Sequence, residues 1–125
     1  MKEFNRADRV GAQMQRELAL LLRDEAKNPR LAEVTIQEVR VTRDLSHAKV
    51  YFTVLDGKEA PLFTEMLERA AGFLRRRLGQ IMKVRTVPEL HFVYDKSIEE
   101  GQRLAALIEQ AVAADHSEDD SHGQT

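Results

Sequence analysis

Between Arg6 and Glu25 the apolar residues Val10, Met14, Leu18, Leu21 and Leu22 recur at i, i+4, i+8, i+11 and i+12. That spacing is one stripe of a helix with about 3.6 residues per turn. Asn5 is placed to cap this helix, and Asp8 sits in its first turn, where a carboxylate favours the helix dipole. Asn28-Pro29 ends the pattern, because proline drives its predecessor out of the helical region. Val34 and Ile36 then alternate in one phase and Val39 and Val41 in the other, so the first strand is bulged or covered on both faces. Ala48, Val50, Phe52 and Val54 alternate cleanly with Lys49, Tyr51 and Thr53, a half-buried second strand. The short polar stretch Asp44-Leu45-Ser46-His47 closes a hairpin between the two.

Asp56-Gly57 marks a turn, and Pro61 suits the first position of the next helix. Leu62, Phe63, Met66, Leu67 and Ala70 centre one apolar stripe there, while Leu74, Leu78, Ile81 and Met82 form a second. At about 100° per residue the two stripes differ by roughly 70°. A single straight helix would set Arg77 near the middle of the first stripe, at the cost of burying an unpaired charge. A break near Ala70-Ala71-Gly72 removes the conflict, so the segment is read as two helices joined by a kink.

Val87-Pro88 opens a third strand, with Leu90, Phe92 and Tyr94 facing one way and Glu89, His91 and Val93 the other. Ser97-Ile98-Glu99-Glu100 has the form of a capping box, and a last helix follows with Ile98, Leu104, Leu107, Ile108, Ala111 and Val112 as its apolar positions. The order α-β-β-α-kink-α-β-α makes an α+β domain, a three-stranded sheet covered by helices on one face. A crossover through the kinked pair lays the third strand parallel to the second, so the sheet is mixed.

The 125 residues amount to one domain, and the absence of cysteine excludes a disulfide scaffold, a thiolate zinc site and a cysteine nucleophile. The longest apolar run, Leu18 to Leu22, is far short of a membrane span, and no apolar leader follows Met1. The chain is therefore expected in the cytoplasm, away from membranes. Its net charge of −2 hides an asymmetry: residues 115–125 hold four acids and no Lys or Arg, and without them 19 bases face 17 acids. The expected division is a body over residues 1–114 and an acidic, disordered tail over 115–125.

Candidate chemistry is sparse. His47 and His91 lie on or beside strands and read as ordinary surface histidines, while His116 and His122 lie in the tail. Those two, beside Asp119 and Asp120, could hold a metal weakly, but a solvated tail is by far the better explanation. No HExxH, Walker-type loop or GxGxxG occurs. Ser97 is accounted for as a cap, and Asp95 beside it helps cap the same helix; a general-base role would need an acid or nucleophile that the sequence does not place. No catalytic residue, metal ligand or cofactor is assigned, and the chain is not read as an enzyme.

The charge pattern says more. From Arg69 to Arg85 there are six bases, Arg69, Arg75, Arg76, Arg77, Lys83 and Arg85, and no acid. A soluble helix face usually mixes signs, whereas an unmixed positive ridge suits phosphate, which answers to summed charge and to bidentate guanidinium contacts. Arg6, Arg9, Arg40, Arg43 and Lys49 are secondary candidates, each explained equally well as solvated surface. Exposed aromatics are few, Tyr51 and Phe73 at most, which favours recognition of backbone and shape over a base code.

Five segments also carry a resemblance: Arg6-Ala7-Asp8-Arg9-Val10, Pro29-Arg30-Leu31, Asp44 through Tyr51, Ala70 through Arg75, and Val87 through Asp95. In this order and spacing the chain resembles bacterial ribosome-binding factor A over about residues 5 to 110. The resemblance implies a fold like a type II K-homology domain, with the GxxG loop replaced by a helix–kink–helix around Ala70, Ala71 and Gly72. It also implies a non-enzymatic assembly factor that binds free 30S subunits and assists late maturation of 16S rRNA near its 5′ end and neck, notably in the cold. A maturation GTPase is the partner it implies, and the protein is expected to be monomeric. Asn28 stands where the family frequently has Asp. The competing reading is a protein-interaction module that docks by the hairpin edge or the last helix.

Overall fold

The computed structural model describes residues 5–123, with side chains described as far as Asp115. Helix α1 (Arg6–Asp24) leads through a short 3₁₀ helix (Pro29–Glu33) to strands β1 (Thr35–Val41) and β2 (His47–Thr53). A second 3₁₀ turn (Gly57–Glu59) precedes helix α2 (Ala60–Met82), which is followed by strand β3 (Glu89–Tyr94) and helix α3 (Ser97–Gly123). The chain divides into two compact units, Met1–Asp95 and Lys96–Thr125.

In the first unit the sheet order is β1-β2-β3. β1 and β2 are antiparallel and β2 and β3 parallel, the mixed sheet expected of this element order. The two phases of β1 resolve as a bulge, since the register shifts between Ile36 and Glu38 and thereby turns both Ile36 and Val39 inward. Buried residues of α1 (Met14, Leu18, Leu21, Leu22) and α2 (Phe63, Leu67, Leu74, Leu78) join Ala48, Val50, Phe52, Leu90 and Phe92 of the sheet in one apolar core.

Local signals set the helix ends. The Asn5 side chain accepts the Asp8 backbone N–H at 2.9 Å, and the Asp8 carboxylate accepts that of Asn5 at 3.2 Å, a reciprocal cap. Asn28 Oδ1 accepts the Arg30 N–H at 3.0 Å, so the amide does what a carboxylate would do at that position. In the β1–β2 hairpin the Asp44 carboxylate accepts from the hydroxyls of Ser46 and Thr42, each at 2.7 Å, and from the Ser46 N–H. Hydrogen bonds from Ser46 and Thr42 hold its pKa down at about 2. α1 approaches β1 closely at Gly11, where an added Cβ would lie 2.5 Å from the Val39 carbonyl oxygen.

The break expected in the central helix is corrected: α2 is one helix, continuous through Ala70, Ala71 and Gly72. Two observations explain it. Leu62, which pulled the first stripe aside, is 45% exposed and contributes little to the core. Phe63, Leu67, Leu74 and Leu78, with Ala70 and Ile81 half-buried, then form a single stripe at i, i+4, i+11, i+15, i+7 and i+18. Arg77 lies at the stripe's margin and is compensated by an ion pair, so no bend is needed to keep it out of the core. A Cβ on Gly72 would meet nothing within 4 Å.

In the second unit α3 begins at Ser97, as its start signal predicts, and its backbone is helical to Gly123, past Ala114 where the sequence reading ends the helix. Ile98, Leu104, Leu107, Ile108 and Val112 are each about half exposed. The side chains of His116, His122, Glu118, Asp119 and Asp120 lie outside the described residues. Among the described residues no helix is long and apolar enough to cross a membrane.

Candidate nucleic-acid interface

The six bases between Arg69 and Arg85 do not form one uniform ridge. At about 100° per residue, Arg75 and Arg76 leave α2 on either side of the line opposite the core stripe, and both are exposed. Arg75 donates through Nη2 to the Val87 carbonyl at 2.9 Å, which stays its side chain against the segment leading into β3 while leaving its charge unneutralised. Arg76 is on the rim of a cavity beside Gly72 and Phe73, together with Arg69 and Lys27. Lys83 ends α2 in the left-handed conformation, φ 54°, with its N–H bonded to the Gly79 carbonyl. Arg85 follows in the same connection and lines a smaller hollow of about 280 Å³ with Arg6, Leu45 and Pro88.

Two of the six have carboxylate partners. Arg69 pairs with Glu65 one turn earlier at 2.6 Å, on an open surface where such a pair is weak. Arg77 Nε and Nη2 reach Glu25 at 3.1 and 3.3 Å, and Nη1 donates to Gln80 at 2.6 Å. Its head is fastened to Glu25, the C-cap of α1. Among the described residues Arg75, Arg76, Lys83 and Arg85 have no ion pair. Glu25 lies far from the basic run in sequence, and only the packing of α1 near α2 reveals which charge it neutralises.

The secondary candidates separate likewise. Arg6 and Arg9 are exposed on the first turns of α1, and Arg43 is exposed in the hairpin. Arg40 and Lys49 pair across β1 and β2 on the open face of the sheet. Arg40 bonds Glu38 at 3.1 Å and stands 5.4 Å above the Tyr51 ring, and the Glu38 hydrogen bond raises its pKa. Its charge is already engaged; Lys49 has no ion pair among the described residues.

Beside the basic surface, the cavity at Gly72 is the feature most like a ligand groove. It has a volume of about 620 Å³, an apolar floor of Leu31, Met66 and Phe73, and a rim of Lys27, Arg69 and Arg76. Sequence reasoning did not single out Lys27, because no periodic signal ties the loop after α1 to the middle of α2. Among the described residues no charged or polar side chain is buried. Surface pairs shift the pKa values of Arg23, Asp24, Arg30 and Arg40, and the hairpin shifts that of Asp44.

Residues 6–108 match the family model described as ribosome-binding factor A. The chain belongs to the ribosome-binding factor A family. It is 57% identical over 124 residues to ribosome-binding factor A of Thioalkalivibrio sulfidiphilus, covering 95% of each chain. The crystal structure of ribosome-binding factor A from Thermus thermophilus superposes with a TM-score of 0.64 at 28% identity, over 72% of this chain and 97% of that one. A homology model of the Thermus thermophilus factor, fitted into the cryo-electron-microscopy map of a 30S–RbfA complex, gives a TM-score of 0.57 at 29% identity, over 69% of this chain and 91% of the other. Ribosome-binding factor A structures thus share the α+β arrangement with a mixed three-stranded sheet found here.

Proposed function

We propose that this protein is a non-enzymatic, cytoplasmic assembly factor that binds the free 30S subunit and assists late maturation of 16S rRNA, near its 5′ end and neck. One observation carries the assignment of the interface: Arg75, Arg76, Lys83 and Arg85 lie exposed along the end of α2 and the connection after it, without carboxylate partners among the described residues. Phosphate recognition needs uncompensated cations, since a guanidinium already paired gains less by exchanging its partner. Arg69 and Arg77 contribute less on this reading, and Arg6, Arg9, Arg43 and Lys49 are outlying contacts. Ala70 and Gly72 line the groove beside these cations, with Ala71 between them on the same helix. The Thermus thermophilus relative fitted into a 30S complex supports the choice of the small subunit over other polyanions.

The mechanism is occupancy rather than bond-making. Binding favours one arrangement of immature rRNA, and a difference in affinity between immature and mature subunits drives release. Among the described residues the core is apolar, which fits a binding role. A maturation GTPase is the partner expected at the release step, and cold, which strengthens wrong rRNA pairings, is where the loss would be felt most. The body over residues 1–114 carries the binding on this reading.

Sucrose-gradient co-sedimentation with free 30S subunits tests this. The variant Arg75→Glu/Arg76→Glu/Lys83→Glu is expected to leave the subunit fraction while keeping its circular dichroism spectrum. Undiminished co-sedimentation overturns the interface. The exposed apolar row Leu104, Leu107 and Ile108 of α3 favours a second reading, docking to a protein. If Leu104→Glu/Ile108→Glu releases the factor and the arginine variant does not, that reading replaces the first.

A further inference from the structure

The open face of the sheet holds a cluster that the rRNA reading leaves unused. His47 begins β2 and Glu89 begins β3, and the parallel register sets them side by side. His91 is two residues beyond Glu89, so the strand's alternation puts both on the exposed face while Leu90 turns into the core. His47 Nδ1 is 3.0 Å from His91 Nε2 and 3.7 Å from a Glu89 carboxylate oxygen. One donor atom of each residue lies within 4.8 Å of the others, and all three side chains are exposed.

The backbone beneath the cluster is held in place. The His47 N–H donates to Thr42 Oγ1 at 3.1 Å, and Thr42 Oγ1 in turn donates to Asp44. The Glu89 N–H donates to the Ser46 carbonyl at 2.9 Å, tying the start of β3 to the hairpin. The donors are thus carried by two hydrogen-bonded strands, a firmer base than a loop.

We propose that His47, Glu89 and His91 form a binding site for a borderline divalent transition metal, of which Zn²⁺ is the natural probe. Two imidazole nitrogens and one carboxylate oxygen are the donors such ions prefer. With metal–ligand distances of about 2.0–2.1 Å, tetrahedral ligands stand about 3.3–3.4 Å apart. The two His47 separations fall on either side of that and the third lies within 4.8 Å, so rotation of the exposed side chains closes the site. Three protein ligands leave the remaining position to water, as in open rather than structural zinc sites. The competing explanation is an imidazole–imidazole hydrogen bond across the strands, which accounts for the 3.0 Å contact but gives Glu89 no part.

Isothermal titration with ZnCl₂ distinguishes them, using the full chain carrying His116→Ala/His122→Ala so that the tail histidines do not contribute. One ion per chain is expected. His47→Ala and His91→Ala should each weaken binding at least about tenfold, and Glu89→Gln by a smaller factor. All three positions are exposed, so circular dichroism of the variants should match the parent. Co²⁺ in place of Zn²⁺ should give the visible absorption of a low-symmetry site, lost in His91→Ala. No saturable binding in the tail-substituted chain, or binding indifferent to both histidine substitutions, overturns the proposal. Binding that needs the histidines but not Glu89 overturns the three-ligand site and leaves the imidazole pair alone. None of these outcomes depends on rRNA.

Discussion

Arg76 and Arg77 are neighbours in sequence and should behave oppositely when removed. Arg76 is exposed on the groove rim without an ion pair among the described residues. Arg77, with 33% of its side chain exposed, is held by Glu25 and Gln80. Each phosphate contact adds about 0.7–0.9 to the slope of log affinity against log salt, so going from 50 to 200 mM costs about threefold per contact. The four unpaired cations Arg75, Arg76, Lys83 and Arg85 together predict about a hundredfold loss over that range. Filter binding of 16S fragments should give this slope for the parent, a slope lower by one contact for Arg76→Ala, and the parental slope for Arg77→Ala. Urea denaturation should reverse the ranking. Arg76→Ala should be nearly neutral, while Arg77→Ala should lose about 0.5–1 kcal/mol, the value of a partly exposed ion pair. Equal slopes for the two variants would show that the Glu25 pair opens on binding and would refute the separation of roles. A flat response in the parent would refute the phosphate interface altogether.

Two more substitutions probe the fold around this interface. Gly11→Ala improves helix propensity yet pushes a methyl against the Val39 carbonyl at 2.5 Å. Overpacking against backbone should outweigh the gain and lower stability by about 1–2 kcal/mol, so an unchanged or raised urea midpoint refutes the close contact. Lys83→Gly relieves a left-handed residue, φ 54°, worth about 1 kcal/mol, while deleting one phosphate contact. Stability should therefore rise as 30S affinity falls, and movement of both in the same direction contradicts the dual assignment.

Much of the architecture is legible in residue order because its causes are local. The α1 stripe, the Asn5 cap, the opposite phases around the β1 bulge and the alternation of β2 and β3 each depend on neighbours a few positions apart. The central helix shows where local reading fails. Leu62 looks like part of the stripe by spacing, and only its exposure removes it. Arg77 looks like a charge to be bent away from the core, and only Glu25, 52 residues earlier, shows how a continuous helix tolerates it. Ala70-Ala71-Gly72, two small residues and a glycine, permit a bend without requiring a break in the helix.

Residue order alone determined the strands and the first and last helix starts, the mixed sheet and the family to which the chain belongs. Tertiary structure alone decided which arginines keep their charge free and that His47, Glu89 and His91 meet, the two histidines being 44 residues apart. The physical reason is range. Helical and strand periods are set by torsion angles and side chains within a turn or two, whereas the net field at a surface depends on every charge that folding brings within a few ångströms.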